Sequence, residues 1–107
     1  MNEQQASESY PQSVLEAYQR AIQIAQAEGE ERDMKQVFHL MQEAAEGGHA
    51  QAQCNIGYMY VLGDGVEVDH AKAVSWFEKA AASGLPQAKF NLARLLYVGS
   101  GVEKNTD

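Results

Sequence analysis

The sequence predicts an all-α fold, a right-handed α-α superhelix (solenoid) of about two and a half helix-turn-helix repeats. Three observations lead to this fold class. The chain resembles itself when it is shifted by 36 positions, as from Gly48 to Gly84. Apolar and small residues recur at helical spacing between glycine-containing breaks. Ala and Gln are frequent, and the two prolines lie near helix starts, a composition that favours helix over sheet.

The repeat is visible as identical residues in two stretches, 48–71 and 84–107. Eight aligned pairs are identical: Gly48/Gly84, Gln51/Gln87, Ala52/Ala88, Asn55/Asn91, Gly63/Gly99, Gly65/Gly101, Val66/Val102 and Glu67/Glu103. Each unit is a helix pair that buries its apolar face against its neighbours. We therefore expect a polar tail over 1–11 and one repeat domain over 12–107, with units 12–47, 48–83 and an incomplete 84–107.

The helical periodicity predicts five helices, near 12–28, 34–46, 50–62, 70–82 and 86–98. Asp33 and Asp69 are N-cap candidates, since their carboxylates can accept from unpaired backbone amides. Ser13 and Glu16 have the spacing of a capping box, and Pro86 suits the first turn of a helix. The glycines at which helices should end are Gly29, Gly47, Gly63, Gly84 and Gly99.

The charge balance makes several functions improbable. The 107 residues hold 8 Lys and Arg against 15 Asp and Glu, a formal charge of −7. This disfavours nucleic acid and an anionic membrane as partners, since both attract basic surfaces. No apolar run is long enough to span a bilayer, and the first twelve residues lack the features of a signal peptide. With Met1 as the native start, the sequence predicts a cytoplasmic protein.

The residues that could do chemistry favour structural roles, so we expect no catalytic residue, no cofactor and no metal. Gly63 and Gly65 lack the preceding strand and following Lys or Ser/Thr of a phosphate loop, and permit a tight interhelix turn instead. The single Cys54 excludes an intramolecular disulfide and is expected in the core. The three histidines, His39, His49 and His70, have no metal-site spacing among themselves or with Cys54.

Several residues resemble the SEL-one-like repeat family, a relative of the tetratricopeptide repeats. The second unit carries the full pattern: Ala52 to Tyr60, Gly63 to Val66, Asp69, Lys72, Ala73, Trp76, Lys79 to Ala81, and Gly84. The third unit matches at Ala88, Leu92, Gly99, Gly101 and Val102, and the first only at Ala44, Ala45 and Gly48. The resemblance implies a non-enzymatic protein–protein interaction module or adaptor, in some bacterial members one that regulates or neutralises a partner protein.

Two alternative functions stay open. Cysteine-rich relatives have been associated with β-lactam binding or hydrolysis, but they carry a cysteine pair in each repeat and this chain has one cysteine in all. The chain could also be a purely structural fragment of a longer solenoid.

The candidate binding surface is the inner, concave face, which the first helix of each unit (helix A) lines in such solenoids. Residues at i, i+4, i+7 and i+11 of helix A should stack into a ladder, in which amides and a Tyr among apolar residues suit a protein or peptide partner. We therefore predict that the partner-binding residues are Gln51, Asn55, Tyr58, Leu62, Gln87, Asn91 and Arg94, with Phe90 and Tyr97 beside them. A merely solvated face is the alternative, and the acidic turn 28–33 is a second candidate surface.

The two ends of the stack should differ. Glu16, Arg20 and Gln23 replace the apolar residues of the inter-repeat face, so we expect them to be exposed, as in a capping unit. Phe90, Ala93 and Tyr97 match Cys54, Gly57 and Val61, which should face the second helix of their own unit. The third unit lacks that helix, and we expect its open face to be covered by a second copy in a homodimer, by a partner, or by further residues of a longer chain.

Overall fold

The computed structural model describes residues 10–27 and 33–105, without the side chains of 98–105, and these residues form five α-helices and no strand. The helices are α1 (Gln12–Ala25), α2 (Met34–Glu46), α3 (Ala50–Leu62), α4 (His70–Ala82) and α5 (Pro86–Asn105). Each helix packs on the next one along the chain. The all-α helical-repeat solenoid predicted from the sequence is confirmed, with α1, α3 and α5 as helices A of three successive units.

The N-caps of α2 and α4 are those predicted. The Asp33 carboxylate accepts hydrogen bonds from the backbone N–H groups of Lys35 and Gln36, at 3.1 and 3.2 Å. The Asp69 carboxylate accepts from the Lys72 N–H at 3.0 Å. Each cap satisfies amides of the first turn that have no partner within the helix, which defines where the helix starts.

The predicted capping box of α1 is wrong. The helix begins at Gln12 after Pro11, and no side chain caps it. The Pro11 carbonyl accepts from the Val14 and Leu15 amides, so Ser13 already lies inside the first turn. Pro11 has φ −57° and ψ 149°, so its backbone is extended and it precedes the helix without belonging to it.

The loop between α3 and α4 depends on two glycines with left-handed backbone. Gly63 ends α3 at φ +76° and Gly65 follows at φ +75°. A Cβ on Gly65 would overlap the Met34 carbonyl at the start of α2. The interpretation of these glycines as a tight interhelix turn is confirmed, and the turn also packs on the preceding unit.

The predicted end of the last helix at residue 98 is wrong, because α5 continues through Gly99 and Gly101 to Asn105. In the second unit the corresponding turn is held by tertiary contacts: Gly65 against Met34, and the Asp69 amide bonded to the Tyr60 carbonyl at 3.0 Å. In α5 the backbone stays helical through both glycines, although glycine in a helix costs about 1 kcal/mol relative to alanine. Gly29 and most of the acidic turn 28–33 lie outside the described residues.

The core is narrow and rich in alanine. Helix α3 lies between α2 and α4 and buries seven of its residues, Ala52, Gln53, Cys54, Ile56, Gly57, Met59 and Tyr60. Phe77 of α4, 1% exposed, fills the centre of the second unit. The core position predicted for Cys54 is confirmed, Tyr60 is buried as well, and Trp76 is partly buried against the core.

The first unit has the polar outer face that the sequence predicts. Glu16, Arg20 and Gln23 are all exposed, which confirms the expectation. Tyr10, placed in the predicted polar tail, instead packs its ring 4.8 Å from that of His49 and accepts from the Ala50 N–H at 3.4 Å. The packed part of the first unit therefore includes Tyr10, two residues before α1.

Candidate functional site

A shallow groove of about 310 Å³ lies along α3 and α5, the helices A of the second and third units. Apart from Cys54, its lining consists of predicted partner-binding residues: Gln51, Asn55, Tyr58, Gln87, Phe90 and Asn91. The 36-residue spacing and the i, i+4, i+7 periodicity place these side chains on one surface. We refer to this surface as the helix A groove.

Asn91 connects the two sides of the helix A groove. Its Oδ1 accepts a hydrogen bond from the Tyr58 hydroxyl at 3.3 Å, and its Nδ2 donates to the Cys54 Sγ at 3.5 Å. The Asn91 side chain is only 8% exposed, and both contacts are to the preceding unit. Asn91 therefore positions Tyr58 as well as lining the groove, a dual role that sequence spacing did not reveal.

Asn55 is the period-matched residue of the second unit and also contacts the unit before it. Its Nδ2 lies 3.8 Å from the Met41 Sδ, and its Oδ1 accepts from the Gln51 Nε2 at 3.1 Å. Burial raises the pKa of Tyr18 in α1, and hydrogen bonding with the Asn55 amide partly offsets that rise. Both asparagines thus contact the preceding unit, through different partners, and their identity in both units was the available signal.

A second, more apolar cleft of about 160 Å³ adjoins the groove where α3, α4 and α5 meet. Its lining residues are Tyr58, Val61, His70, Phe77, Asn91, Arg94 and Leu95. Arg94 therefore belongs to this three-helix cleft and not to the helix A groove. Sequence reasoning did not predict that this cleft would be lined by Val61, His70, Phe77 and Leu95. These residues come from α3, α4 and α5 and meet only where the three helices cross.

Two predicted residues lie away from both depressions. Leu62 is 62% exposed beside the glycine turn, where it lines a separate recess with Lys35 and Val68. Tyr97 is 80% exposed on α5. The structure thus does not bring Leu62 or Tyr97 to the groove.

The open face of the third unit is as uncovered as the sequence predicts. Phe90 is 64% exposed, Tyr97 80% exposed, and Ala93 is exposed between them. The matched Gly57 packs against Phe77 of α4, but the polar partner of Cys54 is Asn91 of α5. Cys54 therefore also contacts the next unit, while its predicted packing on the second helix of its own unit stays a prediction.

Cys54 has the properties of a core thiol. Burial raises its pKa, and the hydrogen bond from Asn91 lowers it by less. A cysteine with a raised pKa is mostly protonated at neutral pH and is a weak nucleophile. Its burial at 2% exposure restricts access in addition.

His49 has a structural role that the sequence did not reveal. Its Nδ1 accepts from the Ala52 N–H at 3.1 Å as the N-cap of α3, and its ring stacks on Tyr18 at 4.2 Å. Within residues 10–27 and 33–97, no three His, Cys, Asp or Glu side chains are grouped so that they could hold a metal ion. Among the described helices, none is both long and apolar enough to cross a membrane.

Comparison with known proteins identifies the repeat. The family model of the Sel1 repeat matches residues 21–49, 50–85 and 86–107. A Sel1 repeat protein from Oxalobacter formigenes is 36% identical, with a TM-score of 0.73, over 77% of this chain and 24% of that one. A protective antigen of uropathogenic Escherichia coli that displays an SLR fold is 33% identical, with a TM-score of 0.75, over 90% of this chain and 20% of that one.

This chain therefore spans less than a quarter of the length of either solved protein. No curated protein matches it. Proteins with this repeat are generally protein-interaction modules without catalytic activity. With the three matched units covering most of its length, the chain belongs to the Sel1 repeat family.

Proposed function

We propose that this protein is a non-enzymatic interaction module that binds a protein or peptide partner in the helix A groove. The observation that carries the proposal is the convergence of six predicted residues from two units on one groove. Regulation or neutralisation of the bound partner belongs to the same proposal. The cytoplasmic location stays a prediction.

The chemistry of the groove suits an extended peptide. Side-chain amides both donate and accept hydrogen bonds, which matches the alternating N–H and C=O groups of a peptide backbone. Gln87 is exposed and makes no side-chain hydrogen bond to another described residue, so its amide is available. Phe90 contributes an exposed aromatic ring at the groove wall.

Tyr58 is the central anchor of the proposed surface. It is 39% exposed, and its ring meets Phe77 edge-on with centroids 5.9 Å apart. The hydroxyl is held by Asn91, so the ring is fixed before a partner arrives. A preorganised aromatic side chain loses little conformational entropy on binding, which is why Tyr is enriched among binding hot spots.

Selection from a random peptide library on the immobilised protein tests the proposal. Selected peptides should bind the groove variants Tyr58→Ala and Phe90→Ala about thirtyfold more weakly, as expected when an anchor worth about 2 kcal/mol is removed. Val68→Ala and Arg20→Ala are matched controls, since both residues are exposed away from the groove. Circular dichroism melts show whether each variant is folded.

Two results would count against the proposal. If no peptide is enriched relative to a control selection on support without protein, a peptide-binding function is contradicted. Unchanged binding by both folded variants contradicts this face as the binding surface.

The β-lactam alternative has a direct test of its own. The buried Cys54 with its raised pKa argues against nucleophilic attack by this residue. Purified protein incubated with a chromogenic cephalosporin should show no saturable turnover. Turnover that is lost in Cys54→Ala would replace the binding proposal with an enzymatic one.

A further inference from the structure

The three-helix cleft combines an apolar interior with polar groups at its rim. Phe77 forms the floor and is 1% exposed, while Val61 and Leu95 form partly buried walls. The Tyr58 ring closes one side, edge-on to Phe77. An aliphatic side chain placed here would exchange water for hydrocarbon on several sides, a favourable transfer.

Arg94 supplies the charge at the rim. It is exposed, and it has no ion-pair partner among the residues whose side chains are described. Its guanidinium lies 5.9 Å from the centroid of the Phe90 ring. A cation–π contact leaves the N–H donors of the guanidinium available for a carboxylate, which they match in a two-bond geometry.

His70, the first residue of α4, supplies a second polar group at the same cleft. An imidazole keeps at least one N–H donor in either protonation state. The neighbouring Asp69 carboxylate accepts from the Lys72 amide as the helix cap and is not part of the lining. Arg94 and His70 thus present donors around an apolar floor.

We propose that the cleft receives an aliphatic side chain of a partner peptide, and that Arg94 binds a carboxylate on a residue next to that side chain. This inference rests on the proposed function and names the chemical class of partner. A purely apolar segment would cover Arg94 without pairing its charge, which is costly. A basic segment would meet like charge. The formal charge of −7 of the whole chain opposes a long acidic run, so the recognised feature is a short aliphatic–acidic pair.

Titration of the isotope-labelled protein with defined peptides, followed by amide NMR spectra, tests the inference. The probe is the peptide Gly-Ser-Glu-Leu-Glu-Ser-Gly. One control peptide has Gln in place of both Glu residues, and another has Ala in place of Leu. Titration to about 5 mM covers the millimolar affinity of a short contact.

The Glu-Leu-Glu peptide should shift resonances of Tyr58, His70, Arg94 and Leu95, and each control peptide should bind at least about tenfold more weakly. The Arg94→Gln variant should bind the Glu-Leu-Glu peptide more weakly by a similar factor. It should also lose the preference of the wild-type protein for the Glu peptide over the Gln peptide. Arg20→Gln is the matched control, because it makes the same charge change at an exposed site on α1.

Equal binding of the Glu and Gln peptides, or an unchanged preference in Arg94→Gln, overturns the role of Arg94. Absence of shifts at the cleft overturns the inference. Shifts confined to Gln51, Asn55 and Gln87 do so as well, while leaving the proposed helix A groove standing. The library selection judges that function separately.

Discussion

Gly57 of α3 packs directly under the ring of Phe77 in α4, so closely that a Cβ on Gly57 would lie 2.7 Å from the Phe77 Cε1. Both residues are buried, Phe77 at 1% exposure. Glycine inside a helix costs about 1 kcal/mol relative to alanine. Here the absence of a side chain on Gly57 allows the two helices of one unit, α3 and α4, to approach closely.

We expect Gly57→Ala to destabilise the protein by up to about 2 kcal/mol. The change gains about 1 kcal/mol of helix propensity but forces a fully buried ring to move, and overpacking of a core costs about 1–3 kcal/mol. Urea unfolding followed by circular dichroism measures the difference. The smaller, aliphatic side chain in Phe77→Leu should reduce the penalty of Gly57→Ala in a double-mutant cycle.

The period-matched Ala93 provides the control. It is exposed, so Ala93→Gly should cost no more than the propensity difference of about 1 kcal/mol. A Gly57→Ala variant that is more stable than the wild type, with no coupling to Phe77→Leu, would contradict the close helix contact.

Two glycines with similar backbone angles should respond differently to alanine. Gly65 and Gly84 have φ of +75° and +90°, so alanine is strained at both by about 1–2 kcal/mol. A Cβ on Gly65 would in addition overlap the Met34 carbonyl, whereas a Cβ on Gly84 would meet nothing within 4 Å. Gly65→Ala should therefore be the more destabilising variant in thermal unfolding, and equal losses would refute the contact between the turn and α2.

His49 should make stability depend on pH. Burial lowers its pKa below the usual value of 6.5, and its neutral Nδ1 accepts the Ala52 amide as the cap of α3. The unfolded state therefore binds more protons just below pH 6.5, and stability falls as the pH drops from 6.5 through the folded-state pKa of His49. Chemical denaturation between pH 7.5 and 5 measures this loss.

Replacing His49 separates its contribution from that of other groups. His49→Asn keeps a capping side chain but cannot titrate. The free energy of unfolding should therefore depend less on pH between pH 7.5 and 5. His39→Gln, at an exposed position on α2, should leave it unchanged. The same slope in wild type and His49→Asn would disprove the assignment.

The exposed aromatics of α5 should promote self-association. Burial of an aromatic side chain is worth about 1.5–3 kcal/mol, and Phe90 and Tyr97 are 64% and 80% exposed. We expect the wild-type chain to dimerise at high micromolar concentration, and Phe90→Ser with Tyr97→Gln to sediment as a monomer with unchanged unfolding. Because Phe90 also lines the helix A groove, a peptide bound there should weaken the dimer. If the wild-type protein stays monomeric, the homodimer is contradicted. A partner or further repeat residues would then be the remaining ways to cover this face.

Much of the candidate surface could be predicted from periodicity, because residues spaced by 36 positions on equivalent helices necessarily stack. This reasoning placed Gln51, Asn55 and Asn91 on the helix A groove. It did not reveal that Asn91 would be 8% exposed and bonded to Tyr58 and Cys54. That arrangement depends on the distance between α3 and α5, which no local pattern encodes.

The sequence by itself determined the 36-residue repeat, the presence of five helices and the caps at Asp33 and Asp69. The helices and their caps are accessible to sequence reasoning because they arise from contacts among residues two to four positions apart. Only the tertiary structure decided whether the chain turns at each of the two glycine pairs. At Gly63 and Gly65 the chain turns back because the turn packs on α2 and α4 packs on α3. At Gly99 and Gly101, by contrast, α5 continues as a helix. The three-helix cleft also depends on tertiary structure, since its walls come from three helices whose crossing is set by the packing of side chains distant in sequence.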